Sequence, residues 1–290
     1  DSFAEFSLFD DWPIIPTIGG FMCRAKKSLG IVKSDGNLPQ TLEKILVEVG
    51  CRVMRSDLQI NHEFLPNCVH LPNLQGILEA ISSLSVYSGH TYDKMFSNIS
   101  NKQRSELHDF FLDMKWYRES HHLRENNLQI LKSLPIFELF DPSGCNDKTF
   151  VDLVSRKWFI PPSNVDESLI GEYFLYTQST EEIEILARIL NVEKMKRATF
   201  FRFRVINRIG ELKSDIRNKS MKTILKELPL LCLQDSSLKD LLRNLAFIPT
   251  SNGDLQFPKN LYDPRIEEFK SLLDKEESFP SEEFRSDEIL

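Results

Sequence analysis

One nine-residue string recurs with variations: IIPTIGGFM at 14–22, FIPPSNVDE at 159–167 and FIPTSNGDL at 247–255. Repetition constrains this chain more than any other feature, because each copy is expected to form a similar unit. The likeness reaches beyond the string. ILKSLPIFELFD (130–141) and ILKELPLLCLQD (224–235) agree at seven of twelve positions, at an offset of 94. KTFVDLVSRKWFIPPSNVD (148–166) and SSLKDLLRNLAFIPTSNGD (236–254) agree at eight of nineteen, at an offset of 88. At the N-terminus FSLFD (6–10) echoes FELFD (137–141), making a partial third copy.

Each copy has a readable shape. An apolar segment with proline (Leu134-Pro135, Leu228-Pro229) leads into a short amphipathic helix, as in Leu238, Leu241 and Leu242. A β-rich triplet such as Ala246-Phe247-Ile248 follows. Pro249 withholds a ladder donor and holds its predecessor extended, so this is expected to be an edge strand. Asn252-Gly253 and Gly19-Gly20 suit two-residue type I′ turns, whose central residues need positive φ. Asn164-Val165 does not, because a β-branched residue resists that conformation. The middle copy is therefore expected to have lost its hairpin. The architectural residues are Pro16, Thr17, Gly20, Pro249, Thr250, Asn252 and Gly253 at the hairpins, with Trp12, Trp158 and Phe247 anchoring them in the core.

Periodicity predicts helices at about 39–49, 73–84, 102–118, 123–132, 180–190, 194–208, 211–227, 236–244 and 264–274. The clearest is STEEIEILARIL, where Ser179 or Thr180 can cap and Ile183, Leu186, Ala187 and Leu190 share a face. The expected fold is α+β and predominantly helical, with short edge strands and hairpins supplied by the repeat. The expected division is a first lobe at 1–127, two tandem copies at 128–262 and an acidic helical tail at 263–290. The apolar opening residues Phe3, Phe6, Leu8 and Phe9, without an initiator Met, read as a piece of a longer protein.

A chain of 290 residues can bury roughly three quarters of its unfolded surface. No apolar run approaches the ~20 residues of a membrane span. Five widely spaced cysteines without a C-x-x-C argue for reduced thiols and an intracellular setting. The net charge of −7 conceals an asymmetry. Residues 263–290 hold ten acidic and four basic groups, whereas 194–226 hold eleven basic and two acidic ones.

Reactive constellations are sparse. Cys51, His62, Cys68 and His70 are zinc-ligand types, but the C-x10-H-x5-C-x-H spacing fits no familiar finger, and a loop with two part-buried thiols and two exposed imidazoles is the plainer reading. His108, His121 and His122 lie among charged residues, and a His121–Glu125 pair reads as a surface contact. Asp10-Asp11 reads as a turn or cap. There is no P-loop, nucleophile elbow or H-E-x-x-H. The basic stretch carries the alternative readings: Lys194, Lys196, Arg197, Arg202, Arg204 and Arg208 interleave with Phe200, Phe201 and Phe203, as a single-stranded nucleic-acid site requires. Helical folding would instead send the phenylalanines inward and leave a solvated basic face, or a patch for an acidic partner, with the stretch after Asp263 as an intramolecular candidate.

LAFIPTSNGDLQFPKNLYDPR with the following FPSEEF, together with FDDWPIIPT and LPIFELFDPSG, resembles the internal repeat of sacsin and sacsin-like proteins. The resemblance covers roughly 1–20, 130–165 and 220–284 and is weak over 21–125. It implies a very large cytosolic protein of protein quality control, in which each repeat joins a heat-shock-chaperone-like ATPase segment to a helical extension. This chain is similar to the extension. The D-x-G-x-G of that ATPase has no counterpart, and none of the eleven glycines forms even a G-x-G. The expectation is therefore a non-catalytic structural and interaction region without cofactor or metal. Its partners would be other domains of the same longer chain, chaperones or client proteins, with membrane excluded and nucleic acid disfavoured. The alternatives are a nucleic-acid module on 194–226 and part of an ATP-dependent chaperone-type ATPase.

Overall fold

The structure, a computed structural model, describes residues 12–34, 36, 38–57, 65–118, 123–142, 148–273 and 278–285. It divides into two units, residues 1–160 with 173–193, and residues 161–172 with 194–290. These limits do not follow the boundaries expected at 127 and 262: the tandem copies are shared between the units. The fold is mainly helical with small two-stranded sheets.

The first unit opens with an antiparallel hairpin of Pro13–Pro16 (β1) and Met22–Arg24 (β2). Ile31–Val32 (β3) then pairs in parallel with Arg52–Val53 (β4), and helix Gln40–Val49 (α1) makes the crossover. Helix α1 forms because Leu42, Ile45, Leu46 and Val49 recur at helical spacing, and all four are buried. It stops at Gly50, whose φ of +107° lets its N–H reach the Leu46 and Val47 carbonyls. Leu74–Ser88 (α2) is capped by Asn73, whose side chain accepts from the Gly76 N–H at 2.9 Å. Asn101–Phe111 (α3) starts with a reciprocal capping box between Ser100 and Gln103. Helix Glu125–Ser133 (α4) leads into Phe137–Glu138 (β5), which pairs with Phe150–Val151 (β6). Phe159–Ile160 (β7) bridges Phe174. Ser179 caps Thr180–Glu184 (α5), as its position predicts, and the helix continues as a π turn over Ile185–Ile189. Leu46, Ile77, Ile81, Phe96, Phe111 and Phe137 form the centre of one buried cluster.

The second unit contains helices Arg197–Arg204 (α6), Ser214–Lys226 (α7), Leu228–Gln234 (α8) and Leu238–Arg243 (α9). A hairpin of Ile248–Pro249 (β8) and Leu255–Gln256 (β9) follows, then helix Glu267–Leu272 (α10). Phe200, Phe201, Met221, Ile224, Leu238 and Phe247 are buried in it.

The two best-matching segments of the repeat fold differently. Phe137 and Glu138 form strand β5, whereas the corresponding Leu231 and Cys232 lie within helix α8. The short helix expected in each copy is present as α9 but is replaced by β6 in the middle copy. Residue type explains the second divergence. Leu-Lys-Asp-Leu-Leu-Arg is made of helix-compatible residues, while Phe150-Val151 favours strand. Asp152 then takes the N–H groups of Val154 and Ser155 on its side chain, at 2.7 and 2.6 Å, so a turn replaces the helix.

Candidate interaction surfaces

The hairpins at the two ends of the chain are built alike. Pro16 pairs with Met22 and Ile15 with Cys23; Pro249 pairs with Leu255 and Ile248 with Gln256. In both, the threonine N–H bonds the carbonyl four residues on, at 2.8 Å for Thr17–Phe21 and 2.9 Å for Thr250–Asp254. In both, the threonine hydroxyl donates to that same carbonyl, at 2.8 and 3.1 Å. In both, the threonine carbonyl accepts from a glycine, Gly20 at 3.2 Å and Gly253 at 3.0 Å. The likeness extends to a third segment on the outer side. The Arg55 N–H bonds the Pro16 carbonyl and the Ser281 N–H bonds the Pro249 carbonyl, while Thr17 bridges Met54 and Thr250 bridges Pro280. A proline can occupy the second position of each hairpin because only its carbonyl is needed there.

The turns are not the two-residue type I′ expected. Each loop has three residues between the paired threonine and its partner. Gly253 has φ +92° but Asn252 is not at positive φ, the pattern of a type I turn closed by a glycine bulge. At the other end both Gly19 (φ +99°) and Gly20 (φ +83°) are left-handed, and positive φ at the third turn residue is the type II pattern. The extra residue lets the threonine hydroxyl close on the chain, and Asn252 is held by its own neighbours: its Oδ1 accepts from the Asp254 N–H at 3.1 Å.

The middle copy diverges. Asn164 takes the left-handed turn at φ +57°, and Asp166 caps a 3-10 turn at Glu167–Leu169. No ladder joins the two sides of this loop among the described residues. Instead the basic stretch holds it. Arg197 donates to the Ser163 and Asn164 carbonyls, the Lys219 ammonium reaches Asp166 Oδ2 at 2.8 Å, and Arg204 Nε donates to the Leu169 carbonyl at 2.6 Å. Arg204 lies so close to Gly171 that a Cβ there would meet its Nη2 at 2.1 Å. Burial lowers the Arg204 pKa from its ordinary value.

The other basic candidates are placed as follows. Arg202 bonds Asp235 at 3.0 Å, Arg208 bonds Glu211 at 2.8 Å, and Lys194 and Lys196 are exposed. Phe200 and Phe201 are buried, as a helix predicts, but Phe203 is 56% exposed. Contact between the acidic tail and this stretch is seen at Lys222–Glu283, 2.8 Å.

Side chains distinguish the two hairpins. Phe247 is buried, Trp158 is buried, and Asp254 presents a charge at the second-hairpin loop. Trp12, expected in the core, is 63% exposed; Phe21 and Met22 are exposed with it, as is Ile14. A cavity of about 730 Å³ opens at this hairpin, lined among others by Thr17, Phe21, Met22, Leu29, Val47 and Arg52. The sequence could not show the difference, because an aromatic residue beside a strand reads as core.

Cys51 and Cys68 are both buried, in separate apolar clusters. Burial pushes the Cys51 thiol up to about 12. His70 is buried, and burial pulls its imidazole down. His62, His121, His122, Asp10, Asp11 and Cys145 lie outside the described residues. A buried pair that sequence reading missed joins His108 on α3 to Glu182 on α5, with Nε2 and Oε1 3.3 Å apart. Both residues belong to charged strings, so nothing in the local pattern marks them as interior.

No family model matches this chain, and no solved structure matches it. It is similar to human sacsin, 23% identical over 312 aligned residues that cover 99% of this chain. The chain spans about 6% of the length of that relative. Among the described residues no helix is long and apolar enough to cross a membrane.

Proposed function

We propose that this chain is a non-catalytic structural and interaction region of a sacsin-like, chaperone-related protein of the cytoplasm, and that its N-terminal hairpin is the partner-facing surface. The observation that carries this reading is the contrast between two hairpins of one backbone design. The second buries Phe247 and presents Asp254 at its loop, while the first leaves Trp12, Ile14, Phe21 and Met22 exposed. A cluster of exposed large apolar groups beside a cavity is the character of an interaction site. Similarity along 99% of the chain to a stretch of sacsin supports a role within a larger protein, where other domains, chaperones or client proteins would be the partners.

The reading makes a definite demand. The purified chain should slow the aggregation of an unfolding model protein, and the double variant Trp12→Ser, Phe21→Ser should lose that effect while keeping the parent melting temperature. A parent chain with no effect on aggregation ends the proposal. The ATPase alternative calls for nucleotide binding, so calorimetric titration with ATP is expected to give no binding heat. The nucleic-acid alternative draws no support from Arg197, Arg202, Arg204 and Arg208, each hydrogen-bonded within the chain.

A further inference from the structure

Asn252-Gly253 is the one Asn-Gly pair in the sequence, and it stands at the exposed tip of the second hairpin. We propose that Asn252 is a site of spontaneous deamidation that the closed hairpin suppresses, so that the rate of conversion reports the fraction of time this turn is open. In the reaction the Gly253 backbone nitrogen, having lost its proton, attacks Cγ of Asn252. A nitrogen–carbon bond forms, the Cγ–Nδ2 bond breaks and ammonia leaves. Water then opens the cyclic imide at either carbonyl, leaving aspartate or isoaspartate and one added negative charge. Nothing is oxidised or reduced, and water is the sole co-reactant.

Glycine after asparagine is what makes the attack easy, since no side chain crowds the nitrogen. A Cβ added at Gly253 would meet nothing within 4 Å. The closed hairpin nevertheless holds both reacting groups elsewhere. The Gly253 N–H donates to the Thr250 carbonyl at 3.0 Å, which withholds the nucleophile. The carboxamide is fixed at both ends: Oδ1 accepts from the Asp254 N–H at 3.1 Å and shares the single Thr250 hydroxyl proton with the Asp254 carbonyl, and Nδ2 donates to Asp254 Oδ2 at 3.2 Å. The buried Thr250 is therefore the lock. After conversion the hairpin cannot close as before, because a carboxylate at 252 would face the Asp254 carboxylate where a donor stood. The repeat supplies its own controls. The first copy has Gly19-Gly20 and no amide to lose, and the middle copy follows Asn164 with a β-branched valine.

The test is mass spectrometry of peptides from the whole chain, incubated at neutral pH in buffer and in denaturing urea. Deamidation of Asn252 is expected to be at least about tenfold slower in buffer, the factor that ~1.4 kcal/mol of local opening would give. Thr250→Val, checked for retained helicity by circular dichroism, should raise the rate in buffer and leave the rate in urea unchanged. Asn164 should stay intact throughout. A buffer rate equal to or above the urea rate overturns the proposal, as does an Asn252 that survives in urea. Asn252→Asp, which mimics one product, should lower hydrogen-exchange protection of the Thr250 and Phe247 amides; unchanged protection would refute the claim that conversion disturbs the turn.

Discussion

Arg197 grips Glu227 with two parallel hydrogen bonds, Nε to Oε2 at 2.6 Å and Nη2 to Oε1 at 2.8 Å. The same guanidinium reaches the Ser163 and Asn164 carbonyls and lies over the Phe201 ring, 5.1 Å from its centroid. A planar fork suits this arrangement and an ammonium does not. Arg197→Ala leaves a partly buried carboxylate unpaired and two carbonyls without their donor. It should destabilise the second unit by about 2–3 kcal/mol. Arg197→Lys should recover only part of that loss. Urea unfolding followed by hydrogen exchange at the α6 amides measures both; equal stability of parent and Arg197→Ala would remove the clamp from this account.

Much of the fold is legible in the sequence where the signal is local. Caps at Ser179 and helical spacing in α1, α2 and α7 suffice to place those helices. What is not legible depends on distant partners. The partners of Arg197 and Arg204 on the 161–172 loop lie 33 to 35 residues away, so a basic-aromatic stretch looks like a binding face when much of it is internal bracing. The parallel β3–β4 pair has two residues in each strand, too few to show a period of two. Ile-Leu-Lys-x-Leu-Pro leads into a strand in one copy, while in the other its Leu228-Pro229 opens helix α8, because the residues after the proline decide the outcome.

Gly20 and Gly253 occupy matching places, with φ of +83° and +92°, and a Cβ at either would meet nothing within 4 Å. Any penalty of substitution must therefore come from the backbone. Gly20→Val and Gly253→Val should each cost about 1–2 kcal/mol. Thermal melts of the two variants check this, and an unchanged melting temperature in either would count against its left-handed assignment.

The cysteines should separate by accessibility. Cys51 and Cys68 are buried, whereas Cys23 and Cys232 are partly exposed. The thiolate is the reactive form, and burial raises the Cys51 thiol to about 12, outweighing the neighbouring Arg52 charge that lowers it. Iodoacetamide at neutral pH should label Cys23 and Cys232 first and leave Cys51 and Cys68 until the chain unfolds. Early labelling of Cys51, read by peptide mass spectrometry, would mean that the core around α1 opens readily.

The His108–Glu182 pair sets a pH dependence whose direction can be worked out. Burial alone would lower the imidazole, but hydrogen bonds and charge from Asp109 and Glu182 outweigh it and lift His108 from 6.5 to about 9. The folded state thus binds the proton more tightly than the unfolded chain does. Below 6.5 both states are protonated and the pair contributes in full. Between 6.5 and about 9 the unfolded chain has lost its proton while the folded one keeps it, so the contribution declines, and above that range it is gone. Its size is on the order of 3 kcal/mol. The urea midpoint of the first unit should therefore fall as pH rises through this window, with the His108 ring resonances titrating at its upper end. Glu182→Gln should bring that titration down and flatten the dependence. A parent His108 that titrates near 6.5 would show that the imidazole is neutral in the core at neutral pH and that the pair carries no charge.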